Sequence, residues 1–151
     1  MIVAIDGPAA SGKSTAAIGV AKALNITHFD TGSMYRAVTH GLISNQISFK
    51  DTKSIKDFLE SLKLRFSNSK KGTGLILNDN NVTDFIRSNT ISENVSEVSA
   101  IKIVRDFMVK IQRQMASDTD CILEGRDIGT VVFPNADFKF FMTADEKSRA
   151  E

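Results

Sequence analysis

The chain has 151 residues, the size of one compact domain whose core needs no disulfide. Its 19 Lys and Arg residues nearly balance 18 Asp and Glu residues, which argues against a general nucleic-acid binder because such proteins carry a large basic excess. The single cysteine, Cys121, cannot form an internal disulfide, so we expect a buried, inert thiol in a reducing compartment. The amino-terminal sequence has neither the basic start of a signal peptide nor the length of a membrane span. We therefore predict a cytoplasmic protein without membrane or nucleic-acid partners, and expect a monomer.

The first part of the chain alternates short apolar runs with helical patterns. Residues 2–5 form a continuous apolar run, which predicts a strand buried on both faces. A helix follows, for which Asn25 is a plausible carboxyl-terminal stop. Residues 27–30 predict a second strand, and apolar residues at helical spacing over 34–42 predict a second helix.

The rest of the chain inserts a different pattern before strands return. A helix is predicted over 54–62, with Ser54 and Asp57 as its capping box. Residues 64–82 predict an antiparallel hairpin region, and 101–115 carry a long helical stripe. Strands are predicted at 121–125 and 138–142, and a helix begins at Asp145. Strands that alternate with helices favour an α/β fold with a parallel sheet.

Residues 7–15 fit the phosphate-loop pattern G-x-x-x-x-G-K-[ST] between a predicted strand and a predicted helix. Backbone N–H groups of such a loop and the following helix surround phosphate. Lys13 would then reach the β- and γ-phosphates, and the Ser14 hydroxyl would ligate Mg²⁺. The competing interpretation is a glycine-rich turn with a surface lysine. The predicted ATP-binding residues are Gly7, Pro8, Ala9, Ala10, Ser11, Gly12, Lys13, Ser14 and Thr15.

Two further polar segments follow predicted strands. Tyr35 and Arg36 come after the second strand, and Arg126 and Asp127 come after the strand at 121–125. Loops at the carboxyl ends of parallel strands gather at one ligand crevice, where an Arg can hold an acceptor phosphate with two hydrogen bonds. The alternatives are a solvated Arg beside a half-buried Tyr, and an exposed turn held by salt bridges.

The three motifs, at 7–14, 30–36 and 124–134, together resemble the bacterial cytidylate kinases, and the resemblance covers essentially the whole chain. It implies a P-loop NTPase-type parallel sheet flanked by helices, with a helical and β-hairpin insertion that binds the nucleoside monophosphate. Residues 1–30 and 116–145 would then form the P-loop core and 31–115 the acceptor-binding region. Residues 146–151, including Arg149, would form the first part of the lid segment. We expect the family's lid arginines and carboxyl-terminal elements to be missing.

The resemblance also implies residue roles. Catalysis would fall to Lys13, Arg36 and Arg126, which neutralise phosphate charge. The acceptor would contact Tyr35, Arg36, Ser96, Arg105, Arg126 and Asp127; Ser96 and Arg105 match a family spacing of nine residues. The family often has Asp where this chain has Glu124, which leaves the role of that carboxylate open.

The implied reaction transfers the γ-phosphoryl group of ATP, with Mg²⁺, to CMP or dCMP. The products are ADP and CDP or dCDP. Two alternatives stay open at this point: a related kinase of a small acceptor such as UMP or shikimate, and a nucleotide-binding fragment that turns nothing over because its lid is incomplete.

Overall fold

The computed structural model describes residues 1–69 and 72–145. Two predicted segments lie outside these ranges: the lid start at 146–151, with Arg149, and residues Lys70 and Lys71 within the predicted hairpin region. The elements in chain order are β1 (Ile2–Asp6), α1 (Lys13–Leu24), β2 (Thr27–Asp30), α2 (Thr31–Ser44), α3 (Thr52–Ser61), β3 (Leu64–Ser69), β4 (Gly72–Leu77), β5 (Asn80–Asn81), α4 (Asn89–Ala100), α5 (Lys102–Ala116), β6 (Cys121–Gly125), a π-helical turn (Ile128–Val132) and β7 (Phe138–Phe141).

The described residues divide into two compact units. The first contains Met1–Gly32 and the residues from Val109 on, and the second contains Ser33–Met108. The assignment of 31–115 to acceptor binding, and of 1–30 with 116–145 to the P-loop core, stays a prediction.

A parallel four-stranded sheet forms the centre of the first unit and confirms the predicted α/β class. Its strand order is β2-β6-β1-β7, and all three pairings are parallel. The central strands β1 and β6 are almost wholly buried, as their continuous apolar sequences require. All strands therefore end at the same edge of the sheet, and the polar segments that follow β1, β2 and β6 emerge there.

Helix α1 ends where the sequence predicted. Asn25 adopts the left-handed conformation with φ 54°, and its N–H donates to the carbonyls of Ala21 and Lys22. Asn tolerates this conformation better than most residues, which allows it to close the last turn of the helix and lead directly into β2.

The second unit combines helices with a small antiparallel sheet, in the order β3-β4-β5. The predicted hairpin region is confirmed, with Leu64 paired to Leu77. The predicted capping box is wrong: the N-cap of α3 is Asp51, whose carboxylate accepts the backbone N–H of Ser54 at 3.1 Å and its hydroxyl at 2.7 Å. The helix consequently begins at Thr52, two residues before the predicted start.

Helix α4 was not predicted as a separate element. Its only buried side chains are Ile91 and Val98, too few to produce a clear helical stripe. In the described part of the chain, no helix has both the length and the apolar character to cross a membrane.

Candidate active site

The loop between β1 and α1 has the geometry of an anion cradle. Gly12 is the N-cap of α1, in the left-handed conformation with φ 85°, and no side chain caps the first N–H groups of the helix. Gly7 is fixed at the other end, where an added Cβ would lie 2.2 Å from the Met142 carbonyl oxygen. The backbone is therefore packed too closely for any other residue, as the phosphate-loop motif requires.

Lys13 folds its side chain over this loop. Its Nζ donates to the Pro8 carbonyl at 2.6 Å and to the Ser11 hydroxyl at 3.4 Å. Partial burial lowers the pKa of Lys13 below its ordinary value of 10.5; the Glu124 carboxylate opposes this effect and the positive charge of Arg126 adds to it. Carboxylates at the ends of β1 (Asp6) and β2 (Asp30) also act on the ammonium, which thus interacts with charges at the ends of three strands.

The Glu124 carboxylate links Ser14 of the phosphate loop to His28 of β2. The Ser14 hydroxyl donates to Glu124 Oε2 at 2.6 Å, and the other oxygen of Glu124 lies 2.7 Å from His28 Nε2. Because an ionised carboxylate only accepts hydrogen bonds, His28 Nε2 carries the hydrogen in this pair. The Thr31 hydroxyl also donates to the Glu124 backbone carbonyl at 2.7 Å. Glu124 is 4% exposed, so the three contacts fix it at the sheet edge.

The segment after β6 is held by the end of β1. The Asp6 carboxylate accepts the backbone N–H groups of Ile128 and Gly129, both at 2.8 Å, and Asp6 is 7% exposed. Arg126 and Asp127 lie between β6 and this anchored π-helical turn. Arg126 is exposed and Asp127 half-buried.

An open cavity of about 380 Å³ joins two of the predicted motifs. It is lined by Gly7 and Pro8 of the phosphate loop, by Arg126, and by Phe141, Thr143 and Ala144 after β7. Arg126 therefore borders the same space as the phosphate loop, as its place after a neighbouring strand predicted.

The second unit carries the remaining predicted residues. Arg36 donates through Nη1 to the Ile86 carbonyl at 3.1 Å and to the Ser92 hydroxyl at 3.0 Å. Tyr35 precedes it on α2 and is half-buried. Ser96 on α4 and Arg105 on α5 are exposed. The acceptor-binding roles of these four residues stay predictions.

Comparison with known proteins decides the family. The cytidylate kinase family model matches residues 3–151. The chain belongs to the cytidylate kinase family. It is 50% identical to a cytidylate kinase of Fusobacterium nucleatum over 150 residues, which cover 99% of this chain and 67% of that protein. Identity to a cytidylate kinase of Halalkalibacterium halodurans is 45% over 150 residues, with 99% and 68% covered.

A similar sequence also occurs as part of a bifunctional enzyme. A bifunctional pantoate ligase/cytidylate kinase of Prochlorococcus marinus is 44% identical over 151 residues, which cover 99% of this chain and 30% of that protein. By comparison, the chain spans about two thirds of the length of the stand-alone cytidylate kinases it matches.

The cytidylate kinase family implies ATP as phosphate donor, with Mg²⁺, and the residues at the loop fit that ion. The Ser14 hydroxyl and the Glu124 carboxylate present oxygen atoms 2.6 Å apart, and oxygen ligands are those that Mg²⁺ prefers. Mg²⁺ characteristically takes one or two protein oxygens together with substrate phosphates and water. Ser14 would ligate the ion, and Glu124 would hold its water.

Three residues at this site went unassigned in the sequence analysis. Asp6 directly follows the predicted first strand, and only the fold brings its carboxylate to the backbone of Ile128. His28 stood within a predicted strand, where nothing indicates which face its ring occupies. The role of Glu124 was left open, and in the structure its carboxylate contacts Ser14 and His28.

Proposed function

We propose that this protein transfers the γ-phosphoryl group of ATP to CMP and dCMP, giving ADP and CDP or dCDP. The observation that carries the proposal is the cavity bordered by both the phosphate loop and Arg126. A loop that binds the donor's phosphates lies beside a guanidinium that can hold the phosphate of an acceptor. We further propose that the protein acts as a monomer in the cytoplasm.

Charge neutralisation carries the catalysis. The acceptor phosphate is already an anionic nucleophile near neutral pH, so the reaction needs no strong protein base. Two polyanions repel each other, and Lys13 and Arg126 cancel part of this repulsion while holding the reacting oxygens in place. Mg²⁺, when bound, neutralises charge on the β- and γ-phosphates. We propose that Arg36 also contributes positive charge to catalysis.

Hydrogen bonding accounts for the choice of base. Cytosine presents an amino donor at N4 and acceptors at N3 and O2, whereas uracil presents an acceptor at O4 and a donor at N3. The Asp127 carboxylate would accept from N4, and the Arg105 guanidinium would donate to N3 or O2. With uracil, the O4 carbonyl would lie against the Asp127 carboxylate, two acceptors together. The N3–H would lie against the Arg105 guanidinium, two donors together. Such mismatches disfavour the wrong base, because they leave polar groups of the site without a hydrogen-bond partner. Ser96 would add a hydroxyl to this set, and Tyr35 would line the acceptor phosphate.

A panel of acceptors tests the proposal. The purified chain is incubated with ATP, Mg²⁺ and one of CMP, dCMP, UMP, AMP or shikimate, and products are separated by ion-exchange chromatography. We expect CDP and dCDP to form much faster than any other product. Preferred turnover of UMP or shikimate would reassign the substrate. ATP binding by equilibrium dialysis without any diphosphate product would make the chain a binding module instead.

A further inference from the structure

The loop that carries Arg126 and Asp127 is followed directly by the π-helical turn Ile128–Val132, a rare element that concentrates at functional sites. The Phe133 N–H donates to the Ile128 carbonyl at 2.7 Å, which is the wide ring of a π-helix. Such a short turn leaves most of its own N–H and C=O groups without partners inside the element. Where those groups find partners decides how firmly the turn, and the two residues before it, are held.

The amino-terminal end of the turn is held by Asp6. One carboxylate oxygen accepts from the Ile128 N–H and the other from the Gly129 N–H, both at 2.8 Å and both in the interior. Gly129 is closely packed here, since an added Cβ would lie 3.3 Å from Asp6 Oδ2 and 2.9 Å from Cδ of the flexible Lys139 side chain. A negative side chain thus satisfies the N–H groups at the end where helix N–H groups accumulate positive partial charge.

The carboxyl-terminal end is held by Arg113 of α5. Its Nε donates to the Val132 carbonyl at 2.8 Å, and its Nη2 donates to the Val131 carbonyl at 3.0 Å. The guanidinium is the one side chain whose rigid fork can serve two adjacent carbonyls at once. A positive side chain here matches the negative end of the turn. Asp6 and Arg113 together therefore clamp the turn at both ends with opposite charges.

We infer that Arg113 is a positioning residue for the acceptor site: with Asp6 it fixes the π-helical turn and thereby the directions of Arg126 and Asp127. This inference rests on the proposed function, in which those two residues contact the acceptor. Asp6 also directly precedes Gly7 of the phosphate loop, and its backbone carbonyl accepts the Met142 N–H at 2.8 Å. The clamp consequently ties the acceptor-binding segment to the strand that leads into the donor loop.

The test uses Arg113→Met, Arg113→Lys and, as a matched control that removes a charge from the same helix, Lys110→Met. Arg113 and Lys110 are both exposed, so these variants should fold. Asp6→Asn is a second probe: it turns one carboxylate oxygen into an NH₂ group that faces a backbone N–H. Since Asp6 is buried, circular dichroism first establishes whether that variant folds.

Two measurements separate the inference from the proposed function. Hydrogen exchange of the amides at 128–133, read by mass spectrometry without nucleotide, reports the clamp itself. Equilibrium affinities for CMP and for ATP report the acceptor and donor sites. For Arg113→Met we expect faster exchange at 128–133, about tenfold weaker CMP binding, and ATP affinity within about twofold of wild type. Arg113→Lys should recover part of the CMP affinity, because one ammonium can still reach a carbonyl, and Lys110→Met should match wild type.

Unchanged exchange in Arg113→Met would overturn the clamp. Faster exchange with unchanged CMP affinity, or an equal loss of CMP and ATP affinity, would overturn the positioning role. If the wild-type chain neither binds nor phosphorylates CMP, the proposed function fails, and the positioning role fails with it, whereas the exchange result still decides whether Arg113 holds the turn.

Discussion

Glu124 offers the sharpest test of how the donor site is built. Its carboxylate accepts from Ser14 at 2.6 Å and from His28 at 2.7 Å, and the side chain is 5% exposed. Replacing it by alanine removes both acceptors and leaves a gap. The variant Glu124→Gln keeps the volume, and its amide can accept from Ser14 while its NH₂ group donates to the other tautomer of His28. The two variants therefore separate the loss of shape and hydrogen bonds from the loss of charge.

The structure sets the expected magnitude. A hydrogen bond to a charged group contributes about 1.5 to 3 kcal/mol. Ser14 is exposed and can turn its hydroxyl to water, so the loss of its hydrogen bond should cost an amount near the lower value. The ring of His28 is only 16% exposed, so the loss of its hydrogen bond should cost more. We expect Glu124→Ala to lower the free energy of unfolding by about 3 to 4 kcal/mol. Glu124→Gln should lower it by about 1 to 2 kcal/mol, because neutral hydrogen bonds are roughly half as strong.

Urea unfolding followed by circular dichroism measures both variants, at a pH near 7.5 and without nucleotide. A double-mutant cycle with Ser14→Ala isolates the contact between Ser14 and Glu124, and we expect a coupling of about 1 kcal/mol or more. A Glu124→Ala variant within about 0.5 kcal/mol of wild type would refute the reasoning. So would a Gln variant as unstable as the Ala variant, since it would mean that volume and hydrogen bonding contribute nothing.

Four further outcomes follow from the site and the core. Arg126→Ala should abolish most turnover and weaken CMP binding while ATP binding survives; separate titrations of the two nucleotides check this, and an unchanged CMP affinity would remove the role. Asp127→Asn should narrow the preference for CMP over UMP, because the amide can donate to uracil O4; equal ratios of kcat/KM in wild type and variant would contradict it. Gly7→Ala should abolish ATP binding, since its Cβ would lie 2.2 Å from the Met142 carbonyl, whereas Gly19→Ala on α1, with nothing within 4 Å of its Cβ, should bind ATP normally. Burial raises the pKa of Cys121 from its ordinary 9.0 to about 11, so at pH 8 only about 0.1% of the thiol is ionised in the folded chain. Iodoacetamide should therefore label Cys121 in urea but not in buffer. Equal labelling rates in the two conditions would contradict the burial.

The amino-acid sequence by itself determined the elements whose signal is local. The run Ile2–Ile5, the phosphate-loop pattern after it and Asn25 at the end of α1 are each set by residues adjacent in the chain, and all three lie where they were predicted. The three motifs also indicated the family, because each is a short run of specific residues that can be recognised without knowledge of the fold. The cap of α3 shows the limit even locally: both Asp51 and Ser54 can cap a helix, and only the conformation of the chain decides which one does.

The tertiary structure decided which distant polar groups meet. Asp6 and Ile128 are 122 positions apart, and Ser14 and Glu124 are 110 apart, so no periodicity in the sequence connects them. They meet because parallel strands β1 and β6 are neighbours in register and end at the same edge of the sheet. A buried carboxylate must find donors wherever the fold provides them, and in this protein those donors are a loop hydroxyl, a histidine and the backbone of a π-helical turn.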